Sequence, residues 1–122
     1  MSASTLIFVY GTLKRGCSNH HYLAGQKFIG EARTVPGFCL YGLTGYPGMV
    51  PKADDRDGVT GEVWSVGAEA LTHMDGLEGI DEGMYRREII PLLAPYAAKK
   101  VQGYIYARPI AGRPDLGATW RE

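Results

Sequence analysis

Two places in this 122-residue chain bring together residue types suited to chemistry. The first is Glu78, which follows an apolar periodic run through Leu71, Met74 and Leu77 and precedes Gly79 and Ile80. A carboxylate among such neighbours at the end of a helix is disfavoured by partial burial and by the negative end of the helix dipole, and both effects raise its pKa. A general acid or base working near neutral pH needs such a shift. The second place is Phe8-Val9-Tyr10-Gly11-Thr12-Leu13-Lys14-Arg15-Gly16, where an apolar run ends in a turn bracketed by two glycines. Gly11 is expected to let the chain leave the strand at φ/ψ values other residues avoid. The N–H groups of Gly11, Thr12 and Leu13 are then placed to hold a carboxylate, with the Tyr10 hydroxyl nearby. Taken singly, each feature also has an ordinary reading, as a solvated helix-end acid and as a tight turn after a strand.

Other chemistries lack their residues. Gly11 and Gly16 have P-loop spacing, but a P-loop continues with Lys and Ser/Thr to reach phosphates and magnesium, whereas this chain continues with Cys17-Ser18. No G-x-S-x-G elbow accompanies His73 and Asp75, and Cys17 beside His20 reads as a surface thiol. His20 and His21 are adjacent, His73 is isolated and no H-E-x-x-H or C-x-x-C occurs, so neither a metal nor any other cofactor is expected. Cys17 and Cys39 read as free thiols. Among the other acids, Asp75 lies on roughly the same helix face as Glu78, suited to capping, pairing with an arginine or holding the site. Asp81 and Glu82 read as solvated, and Glu62, beside Trp64, as one half of a cross-strand pair with Arg or Lys.

Thirteen basic and thirteen acidic side chains cancel, and the basic ones are scattered, which argues against nucleic-acid binding. The N-terminus has no basic n-region, and its apolar run is too short for a secretory signal or a membrane span, so a cytoplasmic location is expected. The composition is 45% apolar, enough for one domain over residues 1–122 with a real core, and the Gly- and Pro-rich stretch 110–122 reads as a loose tail.

The elements that must position these residues follow from periodicity. Leu6–Tyr10 predicts a strand buried on both faces, 19–23 a short helical turn, 27–35 and 38–41 two further strands, and 46–51 a proline-limited edge segment. Residues 59–66 alternate, with Val59 and Val63 on one face and Trp64 and Val66 on the other. From Ala68 the period becomes helical and stops at Gly79, and strands over 85–92 and 100–107 follow. Strands, one central helix and long loops predict an α+β, barrel-like domain.

The Phe8–Gly16 segment, Asn19-His20, Gly61-Glu62-Val63-Trp64-Ser65-Val66, Met74-Asp75-Gly76-Leu77-Glu78-Gly79, Tyr85-Arg86-Arg87 and Tyr104-Ile105-Tyr106 together resemble the gamma-glutamylcyclotransferase-like family, most closely its gamma-glutamylamine cyclotransferase branch. The resemblance implies a small mixed β-barrel flanked by helices, with a cavity between the Y-G-T-L loop and the acidic segment. It implies a cofactor-independent reaction in which the α-amine of a γ-glutamyl group attacks its own γ-carbonyl, releasing 5-oxoproline and an amine or amino acid. Glu78 matches the catalytic acid, and Tyr10, Gly11, Thr12 and Leu13 match the substrate cradle. Tyr106, and less directly Tyr104, would line the pocket. Arg86 is assigned a structural pairing and His20 the pocket rim. The expected partner is a small-molecule γ-glutamyl substrate, with the protein a monomer or weak homodimer. A non-catalytic binding protein for a γ-glutamyl or amino-acid ligand, and an amidohydrolase using the same cavity, stay open as alternatives.

Overall fold

The computed structural model describes residues 4–122. In chain order its elements are β1 (Ser4–Val9), a 3-10 turn (His20–Leu23), β2 (Lys27–Arg33), β3 (Phe38–Gly42), β4 (Pro47–Pro51), β5 (Thr60–Gly67), α1 (Ala68–Leu77), β6 (Tyr85–Ile89), β7 (Gln102–Tyr106) and β8 (Asp115–Gly117). Strand β1 lies at the centre of a five-stranded sheet of order β2-β5-β1-β7-β6. It pairs antiparallel with β5 and parallel with β7, so the sheet is mixed.

The two-faced burial expected of β1 follows from strand geometry. Ile7 and Val9 enter one apolar core, with Trp64 and Val66 of β5, Tyr104 of β7 and Met74 of α1. Phe8, followed by Tyr10, enters the other, with Val59, Val63 and Ile105. Successive side chains alternate across the pleat, so one sheet supplies both cores. Helix α1 and the 3-10 turn cover the first core. The second lies beneath a three-stranded sheet of order β4-β3-β8, which contributes Leu40 and Met49.

The expected β-barrel is not the arrangement found. The two sheets are not closed onto each other, and β4 lies at an edge of the smaller one. Proline at both ends of β4 withholds the N–H groups that would extend a ladder. The Pro47 carbonyl instead accepts the Tyr85 hydroxyl at 2.8 Å.

The expected loose tail is also corrected. Residues 115–117 form β8 on β3, and Trp120 packs on the second core. The Trp120 carbonyl accepts Lys14 Nζ at 2.7 Å. The Glu122 carboxylate takes the Ser18 N–H at 2.9 Å. Glycine and proline content signalled turns but not where they lead, and here they return the chain to the sheet. Strand β6 ends at Ile89, short of the expected Leu92, which keeps only an isolated bridge to Thr34. Among the described residues no helix is long and apolar enough to cross a membrane.

Because Trp120 is only partly buried, Trp120→Ala is expected to cost roughly 1–3 kcal/mol, below the loss for a fully buried tryptophan. Chymotrypsin cleavage after Leu116, which packs on the same core, should accelerate in parallel. Urea denaturation and limited proteolysis read the two effects.

Candidate active site

Helix α1 ends in a way that places Glu78. The Ile80 N–H donates to the Asp75 carbonyl and the Gly79 N–H to the Gly76 carbonyl, each at 3.2 Å, which is the paired bonding of a Schellman end. It requires a left-handed residue just past the cap, supplied by Gly79 at φ +66°. Glu78 is therefore the last residue in helical conformation, its N–H bonded to the Met74 carbonyl at 3.0 Å.

The Glu78 side chain is half-buried and lines a cavity of about 250 Å³. Among the described residues its carboxylate accepts no hydrogen bond. Burial first, and the Asp75 charge second, push its pKa up from 4.5 to about 7. The helix C-terminus acts in the same direction. Its charge bears on the hydroxyls of Tyr10, Tyr85 and Tyr104, but burial is the largest cause raising each of these above the ordinary phenol range. All three stay neutral, and Glu78 is the group of this set poised to exchange a proton near neutral pH.

The turn after β1 supplies another wall of the cavity. Gly11, Thr12 and Leu13 line it. The Lys14 N–H closes the turn on the Gly11 carbonyl at 3.1 Å, while among the described residues none accepts the N–H of Gly11, Thr12 or Leu13. The reason for Gly11 differs from the expectation. Its φ is not positive; a Cβ there would sit 2.7 Å from Pro47 Cγ, so the glycine serves the close approach of the turn to β4. Asn19, which also lines the cavity, braces the turn, its N–H on the Thr12 carbonyl at 2.8 Å and its Nδ2 on Thr12 Oγ1 at 3.0 Å. His20 Nδ1 donates to the Leu13 carbonyl at 3.0 Å, an acceptor that fixes the tautomer. Glu62, expected in a cross-strand pair, instead pins the end of the turn. Its carboxylate accepts the Arg15 N–H at 3.1 Å and Arg15 Nε at 2.9 Å.

The Tyr10 hydroxyl is not available to a carboxylate ligand. It donates to the Tyr104 carbonyl at 2.7 Å and accepts the Met49 N–H at 3.2 Å. Its buried role is to tie the end of β1 to β7 and β4, while Tyr10 still lines the cavity. Tyr106 is likewise corrected. The cavity is lined by Tyr104 and Tyr85, and Tyr106 stands behind Tyr85, ring on edge, at 5.3 Å between centroids. The two β7 tyrosines share a face, as expected, but Tyr106 pairs with Tyr85 at the start of β6 and Tyr104 lies deeper in the sheet. Alternation alone could not choose between them. Asp75 accepts the Tyr104 hydroxyl at 2.8 Å. Its cationic neighbour is Arg87, at 3.1 Å, whereas Arg86 is exposed and reaches Glu88 at 3.4 Å. Leu77, Met84, Tyr46 and Pro47 complete an apolar side of the cavity. Of these, only Leu77 and Met84 lie near Glu78 in sequence, and Tyr46-Pro47 arrives through β4 without a local signal.

A sequence profile described as gamma-glutamyl cyclotransferase, AIG2-like, matches residues 7–122. A Vibrio cholerae relative with a provisional gamma-glutamylcyclotransferase name is 42% identical over 85 residues, 70% of each chain. The gamma-glutamylcyclotransferase family protein YtfP of Escherichia coli K12 is 33% identical over 106 residues, covering 87% of this chain and 86% of its own. The crystal structure of an AIG2-like protein from Mus musculus superposes with a TM-score of 0.72 at 28% identity, covering 94% of this chain and 87% of that one.

The Glu78 carboxyl is expected to titrate in NMR with a midpoint near 7, a signal lost in Glu78→Gln. The folded-state value lies above the 4.5 of an ordinary glutamate, so between about pH 4.5 and 7 the folded protein holds a proton the unfolded chain has released. The Glu78 contribution therefore makes stability fall as pH rises through that window. Urea denaturation across it should show a downward slope that Glu78→Gln flattens.

Proposed function

Because the chain belongs to the gamma-glutamyl cyclotransferase, AIG2-like family, we propose that it is a cofactor-independent cyclotransferase acting on γ-glutamylamines, with Glu78 as the acid/base. The observation that carries this reading is one cavity lined both by a proton-exchanging carboxylate and by three residues whose N–H groups have no acceptor among the described residues.

In this reading the substrate's α-carboxylate lies on the N–H groups of Gly11, Thr12 and Leu13, a nest of partial positive charge. The chain of the substrate curls so that its α-amine meets the γ-carbonyl carbon. Glu78 takes a proton from the amine as the new C–N bond forms, and returns it to the leaving nitrogen as the old C–N bond breaks. The products are 5-oxoproline and a free amine. Attack within one molecule already enjoys a high effective molarity, so the protein's task is to hold the curled shape and move one proton. A cavity of about 250 Å³ suits an amino-acid-sized group, being smaller than the roughly 300–1,000 Å³ of most small-molecule pockets.

The lining supports an amine as the leaving group. Among the described residues it contains no Lys, Arg or His, and its apolar side is Leu77, Met84, Tyr46 and Pro47. An amino-acid leaving group would bring a second carboxylate with no cation to meet it, at the cost of desolvating that charge.

Incubation with a panel of γ-glutamylamines and γ-glutamyl amino acids, with 5-oxoproline as the measured product, is expected to show turnover that favours the amines. Glu78→Gln should lower kcat by roughly two to four orders of magnitude. Wild-type turnover in that variant would refute the acid/base role. Release of glutamate in place of the lactam would identify a hydrolase, and binding with neither product a non-catalytic receptor.

A further inference from the structure

Asp75 stands on α1 three residues before Glu78, a spacing that places both on one side of the helix. It is held from two strands. The Tyr104 hydroxyl of β7 donates to its Oδ1 at 2.8 Å, and Arg87 Nε of β6 lies 3.1 Å from the same oxygen. Arg87 Nε is buried and makes no aligned hydrogen bond among the described residues, so its hold on Asp75 is one of charge. The guanidinium is fixed in turn by Nη1, which donates to Gln102 Oε1 at 3.2 Å. The β6–β7 register sets Arg87 opposite Tyr104, so the two groups that reach Asp75 are cross-strand partners. Glu78 and Tyr104 line the cavity; Asp75 and Arg87 are not among the residues that do.

Resting on the reading of Glu78 as the proton carrier, we propose that Asp75 and Arg87 are positioning residues for it: cross-strand partners on β6 and β7 fix the Asp75 carboxylate behind the last turn of α1, where its charge acts on Glu78 without touching substrate. Two neighbouring carboxylates repel when both are ionised, and a proton on one relieves the repulsion. Asp75 has a guanidinium and a hydroxyl donor beside it, and Glu78 has neither. The proton therefore resides on Glu78, facing the cavity where it is used. Arg87 moderates the effect, since its positive charge offsets part of the negative charge that Glu78 feels.

Among the described residues, the titratable groups that line the cavity with Glu78 are tyrosines, one of them Tyr46 from the loop before β4. From β1, β6 and β7 come Tyr10, Tyr85 and Tyr104, all kept neutral with burial as the largest cause. On α1 itself, His73 and Glu69 look into a separate groove with His21 and Tyr22. From the 3-10 turn, His20 is engaged with the Leu13 carbonyl. Asp75 and Arg87 are thus the charged side chains whose replacement should move the Glu78 titration.

The test is NMR titration of the Glu78 carboxyl in three variants, each checked for a native melting transition, alongside pH profiles of kcat/KM. Asp75→Asn is expected to lower the Glu78 midpoint by roughly one unit, and the acidic limb of the profile with it. Arg87→Gln is expected to raise both, and Arg87→Lys, which keeps the charge, to leave them near wild type. A residue that merely braced the fold would lower activity without moving either midpoint. Unmoved midpoints in Asp75→Asn, or a downward shift in Arg87→Gln, would overturn the proposal. Should Asp75→Asn fail to fold, the Arg87 pair, on the partly exposed edge strand β6, decides the question. The NMR midpoint needs no turnover, so an inactive protein would refute the cyclotransferase reading while leaving this proposal to stand or fall by itself.

Discussion

The structure depends on a carboxylate held half-buried at the negative end of a helix, with no donor among the described residues to compensate it. Water and charge both favour exposing it. What keeps Glu78 in place is the covalent and hydrogen-bonded geometry beneath it: the Schellman end of α1 sets its backbone, and Met74, fully buried, anchors that turn to the sheet. The energetic tension is relieved by protonation near neutral pH, and that same relief makes the group able to exchange a proton.

The rest of the architecture meets that constraint from the sheet. Strand β1 is hydrogen-bonded on both edges and buried on both faces, so its C-terminal end is as rigid a platform as the fold offers. The turn that follows is braced by Asn19, His20 and Glu62, which satisfy other polar groups of the loop and leave the N–H groups of Gly11, Thr12 and Leu13 with no acceptor among the described residues. In the proposed reading a ligand would meet donors that need little reorganisation, the condition under which backbone dipoles contribute most to binding and catalysis. The Tyr10 hydroxyl, which seemed suited to a ligand, ties three strands together instead. Burial of a phenol with both a donor and an acceptor satisfied is stable, and freeing it for a ligand would orphan the Met49 N–H and the Tyr104 carbonyl.

The strands and the helix were readable because each carries its own period. The two-sided character of Leu6–Tyr10, the alternation of Val63 and Trp64, and the helix stop at Gly79 are local properties of the chain. Glu78 and the Gly11–Leu13 turn were readable for a related reason: both sit at ends of such elements. Tyr104, Arg87, Tyr46 and Pro47 were not. Tyr104 and Tyr106 are equivalent by alternation, as Arg86 and Arg87 are by charge. What separates them is the β6–β7 register and the seat of α1 on one end of the sheet, contacts between segments far apart in the chain.

The barrel and the tail show the same boundary. Local pattern specifies strands but not whether two sheets close, which here turns on whether the proline-limited β4 can extend a ladder. Glycine and proline mark 110–122 as irregular, yet Ala118 finds its partner on β5, and Trp120 and Glu122 find theirs on the loop after β1, only once the sheet exists. Backbone periodicity and chain-end chemistry act over a short range, so the elements, the acid at the helix end and the turn after β1 are legible from the residues alone. Which tyrosines and which arginine join them depends on strand register and on which side chains burial leaves facing one another, and those are long-range contacts.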